Sequence, residues 1–274
     1  MDSEVIFRLV GVSFAYPGQT PALSGIDMEL RSGERVALLG SNGSGKSTLL
    51  KLLDGLACPT QGTIDAFGTP LTEKSLQDEQ FGRGFRRRVG FIFQRSDVQL
   101  FSPTVWDEIA FGPLQFGLPA EEVRQRVEDV IAMLDLHLLR DRVPFQLSGG
   151  EQKKVAIGSV LAVSPDVLLL DEPTASLDPR TQRWFLGLLN SLQAAGKTTV
   201  VATHDLDLLP ALADRALVLG SDHTIQADAP VSVILSDHKL LHNANLAHHH
   251  LTSKDDGAVL EPAQLHGAHG HSQV

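Results

Sequence analysis

Three clusters in the 274-residue chain carry side chains whose types and spacing suit chemistry on phosphate groups. The segment Gly40-Ser41-Asn42-Gly43-Ser44-Gly45-Lys46-Ser47 fits the pattern G-x-x-x-x-G-K-[ST], in which glycines let backbone N–H groups turn inward around phosphate oxygens. Lys46 of that pattern reaches the β and γ oxygens, Ser47 holds Mg²⁺, and the helix that follows aims its positive end at the anion. Asp171 and Glu172 follow the apolar run Val167 to Leu170, which puts two carboxylates at the C-terminal end of a strand, where open α/β sheets bind ligands. Asp171 can orient Mg²⁺ through its hydration shell. Glu172 can accept a proton from a water attacking the γ-phosphate, a role worth about 10²- to 10⁴-fold in rate. An acidic pair after an apolar strand is also a common helix cap, so this pair gains meaning only beside the phosphate loop. The third cluster is Leu147-Ser148-Gly149-Gly150-Glu151-Gln152; Ser148 suits a helix cap, and a cap and an anion site use the same exposed N–H groups.

These residues need elements to hold them. Arg35 to Leu39 reads as a short apolar strand that runs into the glycine loop and then into the helical pattern Thr48 to Leu56. Further strands are predicted at Val89 to Phe93, Val167 to Leu170, Thr199 to Ala202 and Ala216 to Leu219, separated by segments of helical periodicity. Strands alternating with helices imply a mostly parallel sheet covered on both faces. Glu4 to Tyr16 and Gly25 to Arg31, with turn signals at Pro17, Gly18, Ser32 and Gly33, predict a small β layer ahead of it. No strand pattern survives between Phe101 and Arg142, and Val123, Val127, Val130, Ile131 and Leu134 share one face of a helix predicted over Glu121 to Leu134.

Composition narrows the class. With 42% hydrophobic and 20% charged residues the chain is an ordinary globular protein. Lys and Arg number 23 against 33 Asp and Glu, and a formal charge of −10 has the wrong sign for a protein that coats nucleic acid. Cys58 is the only cysteine, so no intrachain disulfide forms and a reducing compartment such as the cytoplasm fits. No run approaches the ~20 apolar residues that span a bilayer. Asp2 and Glu4 stand where a secretory leader carries basic residues, so no export is expected.

The glycine loop, the Ser148-Gly149-Gly150 cluster, the Asp171-Glu172 strand end and Thr203-His204 occur in an order that resembles the ATP-binding cassette family of ATPases, over Val5 to about Leu235. The resemblance implies an α/β fold with a P-loop NTPase core of mostly parallel sheet, a small antiparallel β layer and a helical insertion. Residues 1–94 and 153–236 are then the nucleotide-binding core with its β layer, 95–152 the helical subdomain carrying the signature Ser148-Gly149-Gly150, and 237–274 a histidine-rich, loosely ordered tail. It also implies ATP and Mg²⁺ as cofactors, ATP held by residues 40–48 including Thr48, and Tyr16 stacked on adenine. Gln94 touches Mg²⁺ and the attacking water, His204 holds the γ-phosphate, Ser176 to Asp178 cross a dimer interface, and the signature of a second ATPase subunit closes the site.

Gln94 to Leu118, with Asp97, Gln99 and Ala110-Phe111-Gly112-Pro113, resembles the ATPases of energy-coupling factor importers, and within them the cobalt and nickel subunits. That resemblance implies a subunit on the cytoplasmic face of the membrane, with a transmembrane coupling subunit seated near Asp97 and Gln99 and a substrate-binding membrane subunit beyond it. On the opposing view Leu100, Phe101 and Trp106 simply pack the insertion. Eight of the eleven histidines (His238, His242, His248, His249, His250, His266, His269, His271) fall after Ser236, and neutral imidazoles suit Co²⁺, Ni²⁺, Cu²⁺ and Zn²⁺ without telling them apart. A divalent-metal importer is the leading reading; a vitamin importer of the same type and a soluble ATPase outside transport are its rivals.

Overall fold

The computed structural model describes residues 4–246 apart from Ser176, together with the backbone but not the side chain of Asp97. Two long strands, β1 (Val5–Ala15) and β2 (Pro21–Arg31), lead to β3 (Arg35–Leu39), the glycine loop and α1 (Lys46–Leu53). There follow β4 (Gln61–Ala66), β5 (Thr69–Pro70), α2 (Glu73–Gln77), α3 (Glu79–Arg88) and β6 (Val89–Ile92). The helical stretch holds α4 (Val105–Gln115), α5 (Ala120–Met133) and α6 (Gly149–Leu161). The chain returns through β7 (Val167–Asp171), α7 (Pro179–Ala194), β8 (Thr198–Thr203), α8 (Leu209–Leu212), β9 (Arg215–Leu219), β10 (Ile225–Pro230), α9 (Val231–Ser236) and α10 (His238–Asn243).

The strands form an antiparallel sheet ordered β2-β1-β4-β5 and a six-stranded sheet ordered β10-β9-β3-β8-β7-β6, parallel except for β10 on β9. Parallel register decides where the chemistry can sit. Leu39 pairs with Thr203, Asp171 with Ala202 and Ile92 with Leu170, so the C-terminal ends of β3, β8, β7 and β6 stand side by side at one edge of the sheet. The glycine loop, His204, Glu172 and Gln94 all follow those ends.

Alternation along the strands sorts the core. On β7, Val167 and Leu169 face a cluster shared with α1 and the antiparallel sheet. Leu168 and Leu170 face a second cluster built with Val105, Ile109, Val127, Ile131 and Val155. The helical stretch therefore shares a core with one face of the parallel sheet, and α6 runs unbroken across the boundary expected at 152/153.

Two other expectations are corrected. The second strand begins at Pro21, four residues before the predicted Gly25, and Gly25 at φ 59° is absorbed as an irregularity inside it. The stretch after residue 236 opens as ordered chain. Asp237 accepts a hydrogen bond from Leu240 N at 2.9 Å to cap α10, and Leu241 and Ala244 are buried against α8 and α9. His238 and His242 lie on this helix, whereas His248, His249, His250, His266, His269 and His271 lie outside the described residues.

Candidate functional site

Two glycines are needed for steric reasons. A Cβ on Gly40 would meet Ser44 Oγ at 2.3 Å and the Leu219 carbonyl at 2.8 Å; one on Gly45, at φ 107°, would fall 2.4 Å from the Ala22 carbonyl. The loop is thus wedged between β9 and β2, with Gly45 at the start of α1. Lys46 is buried, and its Nζ donates to the Gly40 carbonyl at 2.8 Å and the Ser41 carbonyl at 3.2 Å, which pins the loop's shape. Burial holds this ammonium below its ordinary range, while Glu172, 3.7 Å from Nζ, and Asp171 pull it back up.

Ser47 Oγ donates to Asp171 Oδ1 at 2.9 Å. A hydroxyl and a carboxylate side by side suit Mg²⁺, a hard cation held by one or two carboxylates together with phosphate oxygens and water. Among the described residues no group of three His, Cys, Asp or Glu could hold a metal. Glu172, with its N–H on the Ala202 carbonyl at 2.9 Å, adopts φ 43°, a left-handed conformation costing a non-glycine residue about 1–3 kcal/mol. The turn directs its carboxylate between Lys46 and His204, and His204 Nδ1–H donates to Oε1 at 2.9 Å.

These groups line one cleft of about 480 Å³, into which Tyr16, Asn42, Gly43, Gly45, Lys46, Ser47, Thr48, Gln94, Glu172 and His204 converge. Tyr16 sits with its hydroxyl 3.5 Å from Thr48 Oγ1 and its ring edge-on to Phe14. The remaining residues expected at the nucleotide do not join them. Ser148, Gly150 and Asp178 line a second cleft of about 630 Å³ that shares no residue with the first. Gly149 opens α6 beside it. Ser148 donates from N and Oγ to Glu151 Oε2 at 2.8 and 2.6 Å, bonds that hold the Glu151 carboxyl below its usual range. Asp178 accepts from Thr181 Oγ1, Thr181 N and Arg180 N, so its carboxylate caps α7; those bonds, from Thr181 first, lower its pKa.

Sequence reasoning missed several residues. Gln19 to Ala22 line the first cleft because β2 starts early. His223, at φ 63° in the β9–β10 turn, brings Nδ1 to 3.4 Å from the Ser44 carbonyl; no motif flagged so distant a turn. Lys153 is buried, donating from Nζ to the carbonyls of Phe93 and Gln94. Gln99 turns inward, accepting from Phe93 N and donating to the Ala156 carbonyl, both at 3.4 Å, and the Asp97 side chain lies outside the described set. Of the three residues weighed as packing, Leu100 is buried and Trp106 half-buried, but Phe101 is exposed, as are Val98, Phe111 and Leu114, and its ring meets that of Phe111 edge-on at 4.8 Å.

The family model described as "ABC transporter" matches residues 23–175. The nickel import ATP-binding protein NikO of Rhodobacter capsulatus is 52% identical over 243 residues, covering 88% of this chain and 95% of that one. Among solved structures, CbiO1 of Clostridium perfringens, described as part of the transporter complex CbiONQ, superposes with a TM-score of 0.76 at 33% identity, covering 89% of this chain and 95% of that chain. The cassette MJ0796, a dimer in a post-hydrolysis state with ADP and phosphate, superposes at 0.73 with 29% identity, covering 82% and 99%.

Proposed function

The chain belongs to the ATP-binding cassette transporter family as an ATP-binding subunit whose ATP hydrolysis powers transport, and from that premise we propose that it works in pairs beneath a membrane importer of a divalent transition metal, nickel or cobalt. The observation that carries the pairing is the split between the two clefts. One chain presents Lys46, Glu172 and His204 on one surface and Ser148, Gly150 and Asp178 on another. A two-fold pair that sets each surface against its counterpart on the second copy completes two sites at once.

In each site the loop N–H groups and Lys46 hold the β- and γ-phosphates, Tyr16 stacks on adenine, and Thr48 lies beside it. Ser47, Asp171 and Gln94 would hold Mg²⁺, which would supply charge neutralisation at the phosphate oxygens, and Gln94 also touches the attacking water. Glu172 takes the proton of the attacking water. His204, with Nδ1 2.9 Å from Glu172 Oε1, fixes the carboxylate's orientation beside the γ-phosphate that it holds. Ser148, Gly149 and Gly150 of the second copy close over that phosphate with the N–H groups at the start of α6, and Asp178 lies at the same interface.

The metal cargo is supported by the likeness to a nickel import subunit. Among the described residues no helix is long and apolar enough to cross a membrane, so the pair rides as a peripheral subunit on a transmembrane coupling subunit and its substrate-binding partner. The exposed Val98, Phe101, Phe111 and Leu114 form the docking face beside the loop that carries Gln94. A tagged chain should co-purify with a small polytopic membrane protein, and cells carrying Glu172→Gln should lose uptake of labelled Ni²⁺ or Co²⁺. Loss of vitamin uptake with metal uptake intact overturns the cargo, and a chain that brings down no membrane protein overturns the importer.

A further inference from the structure

Lys153 lies in the first turns of α6 and is 3% exposed, while Glu151, Gln152 and Lys154 around it are only half-buried. Its Nζ donates to the Phe93 carbonyl at 3.0 Å and the Gln94 carbonyl at 3.3 Å. Both carbonyls belong to the strand end that delivers Gln94 to the first cleft. The same helix begins at Ser148, in the second cleft. A second tie runs parallel to the first, because the Gln99 amide bridges Phe93 N and the Ala156 carbonyl on α6. One rigid helix therefore starts in one cleft and grips the backbone that positions a side chain in the other.

We infer that Lys153 is a positioning residue for Gln94: its ammonium fixes the backbone at Phe93 and Gln94 to α6, so that movement of the helix at Ser148 is transmitted to the cleft that holds Lys46. The inference rests on the proposed role of Gln94 in hydrolysis. An ammonium suits the task because it carries three donors and no acceptor, and charge-assisted bonds to carbonyls are roughly twice as strong as neutral ones. Burial lowers the Lys153 pKa to about 8 against the field of Asp171, which faces it from the end of β7. Lys154, next on the helix, is directed elsewhere, donating to the Leu134 carbonyl and lying over the Trp184 ring.

The test compares the full chain with Lys153→Met, Lys153→Arg, Gln94→Ala and the Lys153→Met/Gln94→Ala double variant, reading ATP affinity with a fluorescent analogue, kcat and melting temperature. Lys153→Met should bind ATP within about threefold of the wild type yet lose about tenfold or more in kcat, the mark of a group that acts on the transition state rather than on binding. Lys153→Arg, which keeps a charged donor at the same place, should restore turnover. The double variant should be no slower than Gln94→Ala alone, because both act through one side chain. Wild-type kcat in Lys153→Met, or losses that multiply in the double variant, would each overturn the inference. Should Lys153→Met melt below the assay temperature, a folded Lys153→Arg that turns over no faster than Gln94→Ala overturns it instead. Wild-type kcat in Gln94→Ala overturns the role of Gln94 itself, whereas multiplying losses beside an impaired Gln94→Ala overturn Lys153 alone.

Discussion

Replacing Gly45 by alanine tests whether the wedge between the glycine loop and β2 sets the phosphate site. Two costs arise. The residue sits at φ 107°, which L side chains rarely adopt, and the left-handed region costs about 1–2 kcal/mol. The new Cβ would also lie 2.4 Å from the Ala22 carbonyl and 2.8 Å from Leu23 Cδ2, when ordinary contact starts at 3.4 Å. A leucine methyl can rotate aside, but the carbonyl belongs to a paired strand, so the loop must retreat by about 1 Å. Lys46 is the next residue and its ammonium is fixed to Gly40 and Ser41 of the same loop. A displacement of that size at a reacting group costs about 10²-fold in rate. Gly196, at φ 74° in the turn before β8, has nothing within 4 Å of its would-be Cβ and carries the backbone cost alone. Gly196→Ala should therefore lower the melting temperature by a few degrees, at ~2–4 °C per kcal/mol, with wild-type phosphate release. Gly45→Ala should lose about 10²-fold in kcat/KM at a comparable melting temperature. A Gly45→Ala enzyme within about threefold of Gly196→Ala would refute the steric reasoning.

Two further outcomes are expected. Asp54, at the end of α1, is pushed up to about 7 by burial, against the pull of Arg86; the folded state thus favours the protonated acid, and the stability this lends is full below the unfolded value and lost as pH rises through about 7. The wild-type melting temperature should fall across that window while Asp54→Asn stays level, and parallel curves would show that the carboxyl is not the source. Leu241→Ala removes a buried side chain from the third core cluster and should cost about 2–5 kcal/mol without changing ATP turnover, as read by chemical denaturation; an unchanged midpoint would mean that α10 is not docked.

The chemistry was more legible than the packing, for physical reasons. Gly40 to Ser47, Asp171 and Glu172 follow apolar strands, and parallel register forces such strand ends to one edge, so order in the chain becomes proximity in space. The helix over Glu121 to Leu134 was readable because Val123, Val127, Val130 and Ile131 repeat at helical spacing and are all buried. Lys153 was not, since it stands in the polar run Glu151-Gln152-Lys153-Lys154 and is buried only by what lands on α6 from β6. Gly25 was read as a strand's first residue, yet it stands at positive φ inside β2, so the four residues from Pro21 went unread. Histidines at 238 and 242 drew attention from Leu240, Leu241 and Leu246, whose packing orders that stretch.

The claim that each ATP site is composed of two chains is tested most directly by mixing two inactive variants. Glu172→Gln removes the proposed base but leaves the residues of the second cleft untouched; Ser148→Arg blocks the second cleft and leaves the first. In a mixed dimer one site joins the intact Glu172 surface of one chain to the intact Ser148 surface of the other. Co-refolded or co-expressed in equal amounts, with half the dimers mixed and one sound site in each, the pair should recover about a quarter of wild-type phosphate release. No recovery above the sum of the separate variants, with mixed dimers verified by dual-tag purification, would contradict the two-chain site.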